Sequence, residues 1–202
     1  QINYLKKIRQ NAKDKPLILV VFGGSPIELG EVEPFVDAIL YAWYPGEQGG
    51  NAIADIIFGD INPSGRLPIT FPKSVNQLPK YSDYSMNNRT YKYINYDPIY
   101  PFGFGLSYSN FSYSNIKLNK TKIKIGESIK ASIDIENNSD KAGDEIVQIY
   151  ISFKEKGFRV PNSKLIGLKR VKLKAGESKS IKFLIRPEDI QNVDQNGDNV
   201  FY

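Results

Sequence analysis

The sequence has no cysteine and no histidine in 202 residues, and it has one methionine and one tryptophan. Without cysteine there can be no disulfide bond and no thiol nucleophile. Without histidine there can be no serine–histidine pair, and nearly every kind of zinc site is excluded. Acid–base chemistry therefore has to use carboxylates, tyrosines or lysines. We expect no metal and no other cofactor.

Long apolar runs and clustered charge are also missing. No run approaches the roughly 18 residues of a membrane-spanning helix, so we expect no membrane span. Residues 1–106 carry 10 basic and 10 acidic side chains, whereas residues 107–202 carry 17 and 12 and hold the whole net charge of +5. Lysines alternate with other residues at 120–125 (KTKIKI), which is typical of the solvent face of a strand. We expect no nucleic-acid partner, because such a site needs clustered basic residues with stacking aromatics.

The first half of the chain predicts α/β structure. Apolar residues at helical spacing indicate an amphipathic helix over residues 2–12. Two continuous apolar runs, residues 17–22 and 38–43, predict strands that are buried on both faces of a parallel sheet. Residues 51–58 predict a short helix that Gly59 ends. Strand, crossover, strand and helix in this order indicate part of an open α/β sheet.

The second half changes to short strands with alternating polarity. This alternation predicts strands at residues 128–136, 145–153, 164–173 and 178–185. Such strands at this spacing favour an antiparallel β-sandwich. Because the chain stops at Tyr202 where a final hairpin is due, we expect the sandwich to be truncated at its end.

Residues 61–106 are dense in proline, glycine, tyrosine and asparagine, and they are too many for a bare loop in a compact domain. Within them, residues 62–65 (NPSG) predict a β-turn. Residues 101–105 (PFGFG) predict a wedge of aromatics between two modules. We therefore divide the chain into an α/β part (residues 1–75), an aromatic and proline-rich inter-domain linker (76–106) and a β-sandwich (107–202).

Three blocks in this order resemble family 3 glycoside hydrolases, and together they span nearly the whole chain. The first is AWYPGEQGGNAIADIIFGDINPSGRLPITFP at residues 42–72. The second joins RTYKY at residues 89–93 to PIYPFGFGLSY at 98–108. The third joins GDEIVQIY at residues 143–150 to KLIGL at 164–168. The resemblance implies the end of the family's α/β-sandwich domain, followed by a fibronectin-III-like (immunoglobulin-like) sandwich.

The same resemblance implies an exo-acting retaining β-glycosidase that removes terminal β-glucosyl or β-xylosyl residues from oligosaccharides. Residues 84–86 (YSM) look more like β-xylosidase-type members. Retaining enzymes use two carboxyl groups about 5 Å apart. In the family the nucleophilic Asp lies on an N-terminal (β/α)8 barrel, and the acid/base Glu precedes a helix that resembles residues 1–12.

Both catalytic residues are therefore expected upstream of Gln1. We expect a fragment that is inactive alone, whose partners are the missing barrel domain and a β-linked oligosaccharide. We expect the parent enzyme to be secreted or periplasmic.

Several carboxylates present in the chain need to be weighed against this view. Glu28, Glu31 and Glu33 follow the first strand, at the carboxyl end where α/β sheets usually bind ligands. The alternative is a solvated loop whose acidic residues favour a helix N-terminus, and this interpretation is preferred. Glu47 in the glycine-rich turn and Asp55 on the following helix are interpreted as structural.

Three other side chains are candidates for contact with a sugar. The resemblance suggests that Arg89 and Tyr91 reach the rim of the sugar pocket and bind substrate. Trp43 could stack on a sugar, but a tryptophan at the end of a buried strand favours a place in the core. The glycines of the turn, at positions 46, 49 and 50, are expected to allow a sharp turn with close packing; the spacing does not match a phosphate-binding loop.

The rival interpretation is a non-catalytic carbohydrate-binding or structural module. It requires a row of exposed aromatics on one face of the sandwich. Residues 128–185 offer few aromatics, and of Tyr150, Phe153, Phe158 and Phe183 the first is expected to point into the core. A nucleotide-binding domain is disfavoured because no fingerprint loop is present.

Overall fold

The computed structural model describes residues 1–154 and 160–201, so Phe158 and Tyr202 lie outside the described residues. The chain divides into two compact units. The first consists of Gln1–Ile61 and Leu67–Phe104, and the second of Asn62–Arg66 and Gly105–Tyr202. The three-part division expected from the sequence, with its linker at residues 76–106, stays a prediction.

The first unit contains three α-helices and a two-stranded parallel sheet. Its elements are α1 (Ile2–Ala12), β1 (Ile18–Phe22), β2 (Ala38–Trp43), α2 (Gly49–Phe58) and the single turn α3 (Thr90–Tyr93). The bounds of α1 and β2 are those predicted. Helix α2 begins two residues earlier than expected, and Gly59 ends it with a φ of 84°, which is the left-handed conformation that glycine adopts without a steric penalty.

Burial of this sheet on both faces was a wrong prediction. In β1, Val21 is buried, but Ile18 is 39% exposed and Phe22 is 60% exposed. The reason is that little in the described part of the chain packs on this sheet. Strand β1 pairs with β2 alone, and α1 has no buried residue.

The core of the first unit gathers around Phe71, which is 1% exposed. Val21 and Leu29 complete its fully buried part, and Trp43 is among the partly buried residues that pack against it. Phe71 is far along the chain from the strands, and a bridge holds it in place: its N–H donates to the Tyr100 carbonyl at 2.9 Å. The segment 67–104 therefore supplies the centre of this core.

The second unit is a β-sandwich of two antiparallel sheets, as predicted. Its strands are β3 (Phe111–Leu118), β4 (Ile129–Asn137), β5 (Gly143–Ile151), β6 (Lys164–Leu173), β7 (Ser178–Ile185), β8 (Asn192–Val193) and β9 (Asn199–Val200). One sheet has the order β3-β4-β7 and the other pairs β5 with β6, while β8 and β9 form a short hairpin. Alternate residues of both sheets build one core, centred on Ile135 and Leu173, both 0% exposed.

Three local predictions in this part of the chain were wrong. Residues 120–125 are mostly exposed to solvent, as expected, but they form no strand; they lead into a turn at Gly126, whose φ is 87°. Residues 62–65 form no turn; instead, the Asn62 side chain is hydrogen-bonded to the Ala142 carbonyl and the Tyr108 N–H. Tyr150 is 37% exposed rather than directed into the core, since the pairing of β5 with β6 shifts between Ile149 and Tyr150.

No helix in the described part of the chain has the length and apolar character that crossing a membrane requires.

Candidate functional site

The carboxylates that follow β1 are exposed, and two of them accept hydrogen bonds from groups of their own unit. A carboxylate oxygen of Glu28 accepts a hydrogen bond from the Val75 N–H. Glu33 lies in the first turn of the short 3-10 helix Glu33–Phe35 and accepts a hydrogen bond from the Tyr100 hydroxyl at 3.0 Å. Glu31 is exposed on the same loop. This arrangement agrees with the solvated-loop interpretation.

The contact with Glu33 has a measurable consequence for Tyr100. Burial, together with the hydrogen bond and negative charge of Glu33, raises the pKa of Tyr100 from 10.0 to about 12. Because the folded-state pKa is raised, the stability linked to Tyr100 is fully present below pH 10 and is lost as the pH rises towards 12.

We expect NMR titration of 13C-labelled tyrosine to show Tyr100 ionising at higher pH than an ordinary tyrosine, with Tyr100→Phe giving the assignment. Glu33→Gln should lower this pKa while leaving it above 10, because burial is the larger cause; ionisation near pH 10 in the wild type would contradict the contact.

In the glycine-rich turn between β2 and α2, only some positions require glycine. Gly46 has a φ of 70°. A Cβ on Gly49 would lie 2.7 Å from the Pro45 ring, so Gly49 is needed for close packing, as predicted. Gly50 has open space around it, so the expectation that it is needed for packing was wrong. Glu47 is exposed in this turn, and Asp55 is half-buried on α2.

Trp43 packs against the core of the first unit, as predicted. Its ring meets Tyr41 edge-on at a centroid distance of 4.8 Å and Phe71 at 6.4 Å. Its backbone φ is 52°, an uncommon conformation for a bulky residue. The chain therefore turns sharply at the carboxyl end of β2, and the next side chain, Tyr44, is 81% exposed.

Arg89 holds together the loop that precedes α3. Its Nε donates to the Asp83 carbonyl at 3.0 Å, and its Nη2 donates to the carbonyls of Asp83 at 2.6 Å and Lys80 at 2.9 Å. Three non-glycine residues nearby have positive φ angles, at Met86 (63°), Asn88 (55°) and Thr90 (53°). Strained backbone of this kind persists only where surrounding contacts fix it, and it is enriched at functional sites.

Tyr91 is half-buried and lies in the same segment. Its ring stacks on Phe102 with a centroid distance of 4.1 Å and an interplanar angle of 13°. Phe104 stacks in the same way on Tyr100, at 5.3 Å. The aromatics of residues 101–105 thus pack within the first unit, and the wedge role predicted for them between modules stays a prediction.

The second unit holds a buried ion pair that the local sequence pattern did not indicate. The Arg66 guanidinium lies 2.5 Å from a carboxylate oxygen of Glu145, with side-chain exposures of 14% and 7%. Arg66 also donates to the Gly105 carbonyl. Partial burial of Tyr113, together with the negative charge of Glu145, raises the pKa of the Tyr113 hydroxyl. We interpret this network as structural, because it fixes residues 62–66 onto β5.

The described residues of the sandwich strands do not present the row of exposed aromatics on one face that a binding module of this kind requires. Phe183 is buried, and the two exposed tyrosines of these strands, Tyr113 (46%) on β3 and Tyr150 (37%) on β5, belong to different sheets. Phe153 is half-buried, and Phe158 is outside the described residues. The described residues also contain no group of three or more acidic side chains that could hold a metal ion.

Comparison with known proteins gives a consistent result over both units. The model of the glycosyl hydrolase family 3 C-terminal domain matches residues 1–108, and that of a fibronectin type III-like domain matches residues 145–201. A periplasmic beta-glucosidase of Salmonella typhimurium is 38% identical over 89% of this chain and 25% of its own length. A xylan 1,4-beta-xylosidase of Xylanibacter ruminicola is 38% identical over 95% of this chain and 22% of its own length.

A solved structure, the beta-glucosidase of Listeria innocua in complex with glucose, superposes with a TM-score of 0.86 at 30% identity, covering 100% of this chain and 29% of that one. The chain thus spans about a quarter of the length of the curated relatives it matches. Since the first family model covers more than half of the 202 residues, the chain belongs to glycosyl hydrolase family 3 and consists of that family's C-terminal domain followed by a fibronectin type III-like domain.

Proposed function

We propose that this chain is the C-terminal part of an exo-acting retaining β-glycosidase that removes terminal β-glucosyl or β-xylosyl residues from oligosaccharides. The observation that carries the proposal is the family match across the whole of the first unit, with relatives named both as β-glucosidase and as β-xylosidase. The catalytic Asp and Glu are supplied by the upstream part of the enzyme, which includes a barrel domain. The chain alone is inactive.

The role of the first unit in this proposal is to form one wall of the sugar-binding cleft. Ligands of open α/β sheets bind beyond the carboxyl ends of the strands. Tyr44 and the loop carrying Glu28 and Glu33 follow those ends in the sequence. The second unit supports the enzyme's fold. A periplasmic or secreted location goes with this proposal, because one relative is named as periplasmic.

The test is hydrolysis of an aryl β-glucoside and an aryl β-xyloside by the full-length gene product that contains this chain. We expect turnover of at least one of the two, and the ratio of the two kcat/KM values assigns the sugar. Absence of turnover with both would overturn the proposal.

We also propose that Arg89 and Tyr91 bind substrate at the rim of this cleft. The guanidinium Nη1, which is not among the donors to the Lys80 and Asp83 carbonyls, is the group assigned to a sugar hydroxyl. In the full-length enzyme, we expect Arg89→Ala to raise KM roughly tenfold, as the loss of one charge-assisted hydrogen bond predicts.

Asn88→Ala is the matched control for Arg89→Ala. It removes the hydrogen bond from the Asn95 N–H to Asn88 Oδ1, at 3.2 Å, and so loosens the same loop without removing a charge. Its KM should change much less than that of Arg89→Ala. Unchanged kinetics in Arg89→Ala, or equal effects of the two substitutions, would remove Arg89 from the site.

A further inference from the structure

The carboxyl ends of β1 and β2 bring a pair of glycines next to a tyrosine. The two strands are parallel, with Ile18 paired to Ala38 and Val21 to Tyr41. The segments that follow them therefore leave the sheet at the same end. The Gly23 N–H donates to the Trp43 carbonyl at 3.2 Å and continues the pairing past the end of β1. Gly24 and Tyr44 follow directly.

The Tyr44 ring lies directly over the backbone of Gly24. A Cβ on Gly24 would lie 2.5 Å from Tyr44 Cε2 and 2.8 Å from its hydroxyl oxygen. Contacts that close do not occur in real structures, so a side chain at this position would push the ring away. The absence of a side chain at residue 24 is therefore a condition for the observed position of Tyr44.

The ring is nonetheless 81% exposed. The two neighbouring aromatics have different environments: Trp43 packs on the core while Tyr44 stays at the surface. A tyrosine that is open over most of its surface offers a large contact area, and with only two side-chain torsions it loses little conformational entropy on binding a ligand.

We propose that Tyr44 is an aromatic platform on which a pyranose ring of the β-linked oligosaccharide packs. This inference rests on the proposed function and adds a residue to the sugar-binding wall. The C–H groups on the face of a pyranose carry partial positive charge and suit the negative face of an aromatic ring. The phenol hydroxyl can donate to or accept from a sugar hydroxyl at the same time.

Trp43 makes the platform directly observable in the 202-residue chain, because it is the only tryptophan and immediately precedes Tyr44. We expect titration with cellobiose and xylobiose at millimolar concentrations to change Trp43 fluorescence saturably for at least one of them. Tyr44→Ala should abolish the change. Phe58→Ala, which removes an aromatic on α2 with nearly equal exposure of 83%, should preserve it. A wild-type chain that does not respond, or a Tyr44→Ala chain that responds like the wild type, overturns the inference.

Kinetics of the full-length enzyme give an independent test. Tyr44→Ala should raise KM roughly tenfold with kcat changed by less than about twofold, as expected when ground and transition states lose the same contact. Gly24→Ala should have a similar effect because it displaces the ring, whereas Tyr44→Phe should retain most of the affinity.

The main competing occupant of this surface is an upstream segment of the polypeptide packed on Tyr44. In that case Tyr44→Ala would lower Tm and leave KM unchanged, and the inference would be wrong. Failure of the proposed function looks different: the wild-type enzyme would then hydrolyse neither aryl glycoside, while the fluorescence titration would still decide whether Tyr44 binds a sugar.

Discussion

Glu145→Ala is expected to lower the free energy of unfolding of the second unit by about 3–5 kcal/mol, the range for breaking a buried ion pair from one side. The substitution leaves the Arg66 guanidinium, only 14% exposed, without its countercharge. Urea unfolding followed by far-UV circular dichroism measures the loss, and hydrogen exchange of peptides from β4 and β5 locates it.

The neighbouring residue supplies a matched control. Asp144 pairs with Arg170 at 2.7 Å, but the Arg170 side chain is 65% exposed, and exposed pairs contribute about 0–1 kcal/mol. Arg170→Ala should therefore have a small effect. Replacing both buried partners by apolar residues, as in Arg66→Met with Glu145→Leu, should recover most of the stability. Equal losses in Glu145→Ala and Arg170→Ala would show that the buried pair does not hold residues 62–66 onto β5.

Phe71→Ala is expected to lower the free energy of unfolding of the first unit by about 3–5 kcal/mol, the usual range for removing a buried phenylalanine ring. Phe71 is 1% exposed. Its ring meets those of Tyr41, Trp43 and Tyr100 edge-on, at centroid distances of 5.1, 6.4 and 6.3 Å. Trp43, the only tryptophan, reports this loss through its fluorescence during urea unfolding.

Phe58→Ala is the control for Phe71→Ala, because the same ring is removed from a position that is 83% exposed. A surface substitution of this kind usually changes stability by no more than about 0.5 kcal/mol. A midpoint for Phe71→Ala that matches that of Phe58→Ala would mean that residues 67–104 do not supply the centre of this core.

Local periodicity was enough to predict most of the elements. Apolar spacing gave the bounds of α1 to the residue, a continuous apolar run gave those of β2, and alternation gave those of β6 and β7. It failed for β3, and the reason is visible in the pairing with β4. The register shifts between Ser114 and Lys117, and Asn115 has a φ of 53°. This irregularity moves Ile116 out of phase with Phe111 and Tyr113, so the strand shows no continuous alternation.

At residues 120–125 the error was the opposite one: the alternating pattern is typical of a strand, but no strand forms there. Glu127 accepts hydrogen bonds from the Lys120 ammonium group at 3.1 Å and from the Lys124 N–H at 3.4 Å. These contacts, with the turn at Gly126, stabilise a loop. Whether a segment forms a strand depends on an adjacent strand with which it can pair. Local alternation in a single sequence does not identify that strand.

The candidate site shows the same division between local and long-range information. The turn at Gly46 follows from the order of residues near it. The loop held by Arg89 is fixed by hydrogen bonds to Lys80 and Asp83 carbonyls, which residue type alone does not predict. The need for glycine at position 24 arises from Tyr44, which is 20 residues further along the chain. The ion pair of Arg66 joins it to Glu145, which is 79 residues away in the sequence.

The proposed glycosidase activity is tested most directly by the anomeric configuration of the first sugar released from an aryl β-glycoside, followed by 1H NMR. It uses the full-length gene product beside the 202-residue chain alone. We expect the full-length protein to release the β-anomer first, because two displacements at the anomeric carbon retain configuration. We expect the chain alone to release no sugar. Turnover by the chain alone would place a catalytic pair within residues 1–202, with Glu28, Glu31, Glu33 and Glu47 as the candidates. Release of the α-anomer first would contradict the retaining mechanism.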